Sequence, residues 1–89
     1  MNIENTFNKG MKILQKNKIS NPLIDTTILL SASIQRDKEH IILNPKELLS
    51  SKQSNKFIDL IERRKKGEPI AYIINKKEFW KDEFYVNRN

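Results

Sequence analysis

Apolar residues return every three or four positions from the start of the chain to Arg64, and then the period changes. Ile3, Phe7, Met11 and Leu14 lie four, four and three residues apart, with Glu4, Lys9, Lys12 and Gln15 between them. That spacing predicts an amphipathic helix over roughly residues 3–17. Gly10 falls inside it and weakens it by up to ~1 kcal/mol relative to Ala. Such a glycine either lets another helix approach closely or is simply tolerated. Asn17, Lys18 and Ser20 supply a polar joint.

The second helix has the clearest start. Asn21 is placed to cap it, Pro22 suits the first helical position, and Asp25 puts negative charge in the first turn. Leu23, Thr27, Leu30 and Ile34 form one stripe, and Ile24, Ile28 and Ser31 an adjacent one. With Leu29 added, most of the circumference is apolar, which places this helix at the centre of a bundle. Gln35 and Arg36 end it. Asp37 restarts a short helix over roughly 37–43, with Ile41, Ile42 and Leu43 as its buried end. Asn44-Pro45 then breaks the chain, because a residue before proline avoids the helical region. Lys46 to Leu49 reads as one further turn.

Ser50 and Gln53 stand in capping-box spacing at the head of the last predicted helix. Phe57, Ile58, Ile61 and Arg64 follow at helical intervals, with Leu60 alongside. Arg63, Arg64, Lys65 and Lys66 close it, complementing the negative helix end. Gly67 is placed for the left-handed position after the helix, and Pro69 prevents continuation. Beyond it, Ile70-Ala71-Tyr72-Ile73-Ile74 is β-branched and aromatic, followed by Lys77-Glu78-Phe79-Trp80 and Phe84-Tyr85-Val86. These runs predict a β-hairpin turning at Asn75, since Asn tolerates positive φ better than most residues. The expected fold is therefore mainly α: a small bundle of four to five helices over 1–66, then a C-terminal β-hairpin over 67–89.

Eighty-nine residues make one small domain, which buries about 60–65% of its unfolded surface. Only 37% of residues are hydrophobic, but thirteen isoleucines spread along the chain argue against disorder. With no cysteine there is neither a disulfide framework nor a thiolate zinc site. No apolar run has signal-peptide or membrane-span length, so a soluble, cytoplasmic, monomeric protein without a membrane partner is expected. The net charge of +6 divides into +2 over 1–45 and +4 over 46–89. It favours an anionic partner, nucleic acid or an acidic protein surface, or it is simply a solvated lysine-rich exterior.

Chemistry-bearing residues are sparse. His40 is the only histidine and reads as structural rather than as a metal ligand. No serine has a nucleophile-elbow context, and each fits a cap, a joint or a helix surface. Glu68, Glu78, Asp82 and Glu83 cluster in the last segment without sign of a pocket to tune an acid/base pair. No phosphate loop is present. The chain by itself is expected to be non-catalytic, with no metal and no cofactor of its own. Two features remain as binding candidates. The cations at 63–66 with Lys76, Lys77 and Lys81 interleave with Tyr72, Phe79 and Trp80, a pattern that stacks bases and tracks phosphates in RNA-binding modules. Trp80 with Phe84 and Val86 is a second, apolar one.

The run Arg63-Arg64-x-x-Gly67-Glu68-Pro69-Ile70-Ala71-Tyr72-Ile73, then Lys77-Glu78-Phe79-Trp80, then Phe84-x-Val86, resembles the N-terminal region of the HemK/PrmC family. These are glutamine methyltransferases that modify peptide chain release factors. Asp25-x-x-Ile28-Leu29-Leu30 is similar to the family's central-helix motif. The resemblance implies a helical substrate-recognition domain joined by a hairpin to a Rossmann-like catalytic domain in the same protein. That domain would carry S-adenosylmethionine and an Asn-Pro-Pro-Tyr motif, neither of which maps onto this sequence. Asp25, Arg64, Gly67, Pro69, Tyr72, Asn75, Phe79 and Trp80 are its structural motif here, and Arg64 is expected to reach back to Asp25. Arg63, Lys65 and Lys66 are then left to face solvent or the release factor. The sequence departs from the family at Gln35, Asn75 and Lys81, where glycine is usual. The alternative is an autonomous basic adaptor that binds RNA.

Overall fold

The computed structural model describes residues 1–74. Along them run α1 (Ile3–Lys16), α2 (Pro22–Ile34), α3 (Lys38–Leu43), α4 (Ser51–Lys65) and α5 (Ile70–Ile74). Helices α1, α2 and α4 pack on one another; α3 leans on α2, and α5 sits against α4 and α2. Helix α2 is thus the hub. Its residues Leu29 to Ile34 are buried without interruption, which a helix achieves only when it is covered on every side.

The buried stripe of α1 is Ile3, Thr6, Gly10 and Leu14, not the stripe through Phe7 and Met11. Those two are only half-buried. The cause is Gly10. A Cβ built there would lie 2.5 Å from Phe57 Cζ and 3.1 Å from Ile61 Cδ1 of α4. The helix therefore turns its smallest residue to Phe57, and Phe7 is rotated to the side. Gly10 is a requirement of the α1–α4 contact.

Helix starts and stops mostly follow local chemistry. Asn2 Oδ1 accepts the Asn5 N–H at 2.8 Å, and the N–H groups of Ile3 and Glu4 donate to the carbonyls of Glu47 and Pro45, each at 2.9 Å. Three otherwise orphaned donors of α1 are satisfied in this way. The same carbonyls explain why Lys46 to Leu49 does not add a helical turn: they point at α1, and Leu48 bridges Asn2 instead. Asn21 differs from expectation too. Its backbone (φ −125°, ψ 67°) is outside the usual capping region, and its side chain makes no cap bond. Ser50 and Gln53 complete both bonds of a capping box.

Gly67 takes φ 100°, its N–H donating to the Arg64 carbonyl at 2.9 Å and that of Glu68 to Arg63 at 3.2 Å, a Schellman stop. Lys18 (φ 60°) ends α1 by the same pair of bonds without being glycine, and Gln35 (φ 59°) adopts the left-handed conformation after α2.

The first strand of the expected hairpin is a helix. Ile70–Ile74 forms α5, with Ile73 buried, Ile70 and Ile74 half-buried, and Tyr72 exposed. A five-residue apolar run does not distinguish helix from strand by period alone. Here Pro69 decides it, since its carbonyl accepts the N–H groups of Tyr72 (3.0 Å) and Ile73 (3.2 Å). The helical spacing then turns Ile70, Ile73 and Ile74 together toward the bundle. The remaining hairpin residues, with Asn75, Phe79 and Trp80, lie outside the described residues.

Candidate functional site

The cationic end of α4 is mostly engaged within the chain. Arg63 Nε donates to Glu68 Oε1 at 2.8 Å, and Nη2 donates to the second carboxylate oxygen, a two-pronged pair. The hydrogen bond to Glu68 raises the Arg63 pKa above its already high ordinary value, outweighing the opposing effect of burial. Arg64 Nε donates to Asp25 Oδ2 at 2.8 Å and Nη1 to the Glu68 carbonyl at 3.0 Å. Lys65 pairs with Glu62 at 2.9 Å, while Lys66 is exposed. Of the proposed partner-facing cations, Arg63 and Lys65 already hold carboxylates.

Asp25 and Arg64, side chains 9% and 21% exposed, join the start of α2 to the end of α4. Arg64 also ties down the carbonyl of Glu68, whose carboxylate grips Arg63. The Gly67-Glu68-Pro69 joint is therefore fastened on both sides, and the direction in which the chain leaves the bundle is set by these bonds. This arrangement positions; it offers no nucleophile or proton-transfer pair. His40 has a similar role elsewhere: Nε2 lies 2.8 Å from Glu47 Oε1 and Nδ1 3.4 Å from Asn44 Nδ2, fastening α3 to the loop that caps α1. Among the described residues no group of three or more His, Cys, Asp or Glu is arranged to hold a metal ion. No helix there is long and apolar enough to cross a membrane.

A site that periodicity did not identify lies between α1, α2 and α3. It is an open groove of about 620 Å³ lined mainly by aliphatic side chains. Phe7 enters it from α1, Leu23, Ile24 and Ile28 from α2, and Ile42 from α3. Leu23 and Ile24 are each 58% exposed and Ile42 is 64% exposed, unusual values for large aliphatic groups. Only Ile41 of the expected buried trio in α3 is inside; Ile42 and Leu43 are outside. Consecutive residues on a helix point ~100° apart, so three in a row cannot all face one neighbour. That geometry was the available sequence signal, together with the double apolar stripe on α2, which is wider than α1 and α4 cover at its first turns.

Residues 5–74 match the family model described as the PrmC N-terminal domain. The chain belongs to the PrmC N-terminal domain family. Its relatives include a "Bifunctional methyltransferase" of Rickettsia bellii, 38% identical over 98% of this chain and 16% of the relative. Another is a "Release factor glutamine methyltransferase" of Buchnera aphidicola subsp. Schizaphis graminum, 44% identical over 90% of this chain and 28% of the relative. A third, with the same name, is from Aliivibrio fischeri, 30% identical over 90% of this chain and 28% of the relative. This PrmC N-terminal domain thus spans under a third of the length of these methyltransferases. No solved structure gives a significant match.

Proposed function

We propose that this PrmC N-terminal domain is the release-factor-recognition part of a protein-(glutamine-N5) methyltransferase. The observation that carries the reading is the family match over residues 5–74, together with relatives named release factor glutamine methyltransferase. In this reading the whole enzyme methylates the glutamine of a Gly-Gly-Gln motif in a peptide chain release factor, acting as a cytoplasmic monomer in translation termination. S-adenosylmethionine supplies the methyl group.

The described residues do not fit that cofactor. In the groove Glu4 is bonded to Lys46 at 3.3 Å and the Thr27 hydroxyl donates to the Leu23 carbonyl at 2.8 Å, leaving few polar groups for a nucleoside. The sequence also contains no Asn-Pro-Pro-Tyr. Methyl transfer is therefore assigned to a catalytic domain outside these residues, and no chemical step to this chain. The bundle over 1–66 holds the substrate protein, and 67–89 leads toward the catalytic part. Asp25, Arg64, Gly67 and Pro69 fix the joint between them, and of Arg63, Lys65 and Lys66 it is Lys66 that is exposed to meet the release factor.

Calorimetric titration of the 89-residue chain with a release factor tests this. Saturable binding that persists at physiological salt is expected. No binding to the release factor, with steeply salt-dependent binding to RNA instead, would replace the reading with the basic adaptor.

A further inference from the structure

We infer that the lysine face of α1, formed by Lys9, Lys12 and Lys16 with Lys18 just beyond, is a contact surface for the phosphate backbone of double-helical RNA. The choice of RNA over DNA rests on the role in translation termination proposed above; the face itself does not.

Four of the chain's six net positive charges fall within residues 5–20, a stretch that contains no acid. At ~100° per residue, Asn5, Lys9, Lys12 and Lys16 occupy one arc of about 60° on the helix, and all four are exposed. The contact of Gly10 with Phe57 fixes the rotation of α1, and this stripe is left on the outside. No ion pair among the described residues includes Lys9, Lys12, Lys16 or Lys18, whereas Arg63, Arg64 and Lys65 of α4 each hold a carboxylate. Lys16 and Lys18 complement the carbonyl end of α1, but Lys9 and Lys12 precede its last turn and gain nothing there. Lys12 stands one turn from both Lys9 and Lys16, a like-charge spacing that destabilises a helix. With no acid on the face to relieve it, the compensating charge is an external anion.

The residue types choose that anion. The centre of a protein interface is depleted in lysine and enriched in aromatic groups. An interfacial helix inserts apolar groups beside its cations. This stripe presents only Lys and Asn. Those are side chains that hold phosphate oxygens in nucleic-acid complexes without reading sequence. No aromatic residue lies on the stripe to stack an unpaired base, so a duplex is favoured over a single strand.

The test is fluorescence anisotropy of a labelled RNA duplex of about 20 base pairs, titrated with the 89-residue chain. Three phosphate contacts predict a log–log salt slope of about −3, a loss of about fortyfold in affinity between ~50 and ~200 mM salt. Lys9→Gln, Lys12→Gln and Lys16→Gln combined should flatten the slope to about −1 and weaken low-salt binding about tenfold or more. Gln keeps the helix propensity of Lys. The charge-matched control, Arg36→Gln, Lys38→Gln and Lys52→Gln combined, should keep the slope and lose less than about threefold, since these exposed cations lie off α1. Melting curves show whether each variant folds; where the triple α1 variant does not, Lys9→Gln and Lys12→Gln singly should each reduce the slope by about one.

Equal losses in the two triple variants would overturn the inference, showing diffuse net charge. So would a DNA duplex of the same sequence bound as tightly, or binding to phosphatidylglycerol vesicles with none to RNA. Titration with a release factor separates this inference from the recognition role, because the α1 variant should bind it as the unmodified chain does. Release-factor binding lost in the α1 variant, with no RNA bound by the unmodified chain, overturns the RNA face alone. RNA bound as described, with no release factor bound, overturns the recognition role alone.

Discussion

Replacing Arg64 with alanine removes the cation that faces a nearly buried carboxylate. Breaking a fully buried ion pair from one side costs about 3–5 kcal/mol, mainly by leaving the other charge unpaired in a poorly solvated site. Asp25 is 9% exposed, but Arg64 is 21% exposed, so water partly replaces the lost guanidinium. The loss also takes the 3.0 Å bond from Nη1 to the Glu68 carbonyl, a neutral acceptor in a part-buried place. A net cost of about 2–3 kcal/mol follows. For a domain this small each kcal/mol lowers Tm by about 4–8 °C, so the expected fall is on the order of 10–20 °C.

The assay is urea and thermal unfolding followed by circular dichroism, on Arg64→Ala, Asp25→Leu and the double variant. Because Asp25→Leu removes the group that Arg64 leaves unpaired, the double variant should cost less than the two single losses added together. A coupling of at least about 1 kcal/mol is expected for residues in direct contact. Arg64→Lys should recover only part of the loss, since an ammonium does not reproduce the guanidinium fork. An Arg64→Ala variant melting within about 2 °C of the unmodified chain, or strictly additive losses, would refute the reasoning.

Gly10→Ala gains up to ~1 kcal/mol of helix propensity but drives a methyl into Phe57, an overpacking cost of about 1–3 kcal/mol. A net loss in Tm is expected, reversed in sign when Phe57→Leu makes room. Thr26 Oγ1 is buried without a hydrogen-bond partner, so Thr26→Val should hold or raise stability by up to about 1 kcal/mol in urea unfolding. Lys18→Gly should raise Tm by relieving the left-handed backbone at φ 60°, an effect of up to about 1 kcal/mol, whereas Lys18→Ile should lower it.

Much of this architecture is written in local signals. Ser50 with Gln53, Asp37, Pro22 and Gly67 mark helix ends by groups that act within a turn, and the structure uses each of them there. The central position of α2 follows from an apolar circumference that has to be covered. What misled was long-range or ambiguous. The rotation of α1 depends on Phe57, which lies far along the chain and happens to fit over Gly10. The run Ile70–Ile74 satisfies either period, and only the bonds to the Pro69 carbonyl and the burial of Ile73 against the bundle select the helix. Apolar periodicity does not separate core from groove: Ile24 and Ile42 continue helical apolar stripes yet face outward. Of the cations at 63–66, only Arg64 depends on the fold for its carboxylate, Asp25, whereas Glu62 and Glu68, the partners of Lys65 and Arg63, lie within five residues of them in the sequence.

The central claim is recognition of the whole substrate protein, and kinetic comparison in the full methyltransferase tests it most directly. The measurement is kcat/KM for an intact release factor and for a short Gly-Gly-Gln peptide, with the 89-residue chain added as a competitor at about ten times its Kd for the release factor and without it. A recognition domain predicts an apparent KM for the release factor raised about tenfold, with kcat and the peptide reaction unchanged. An unchanged KM for the release factor would contradict it, leaving the bundle a support for the catalytic domain.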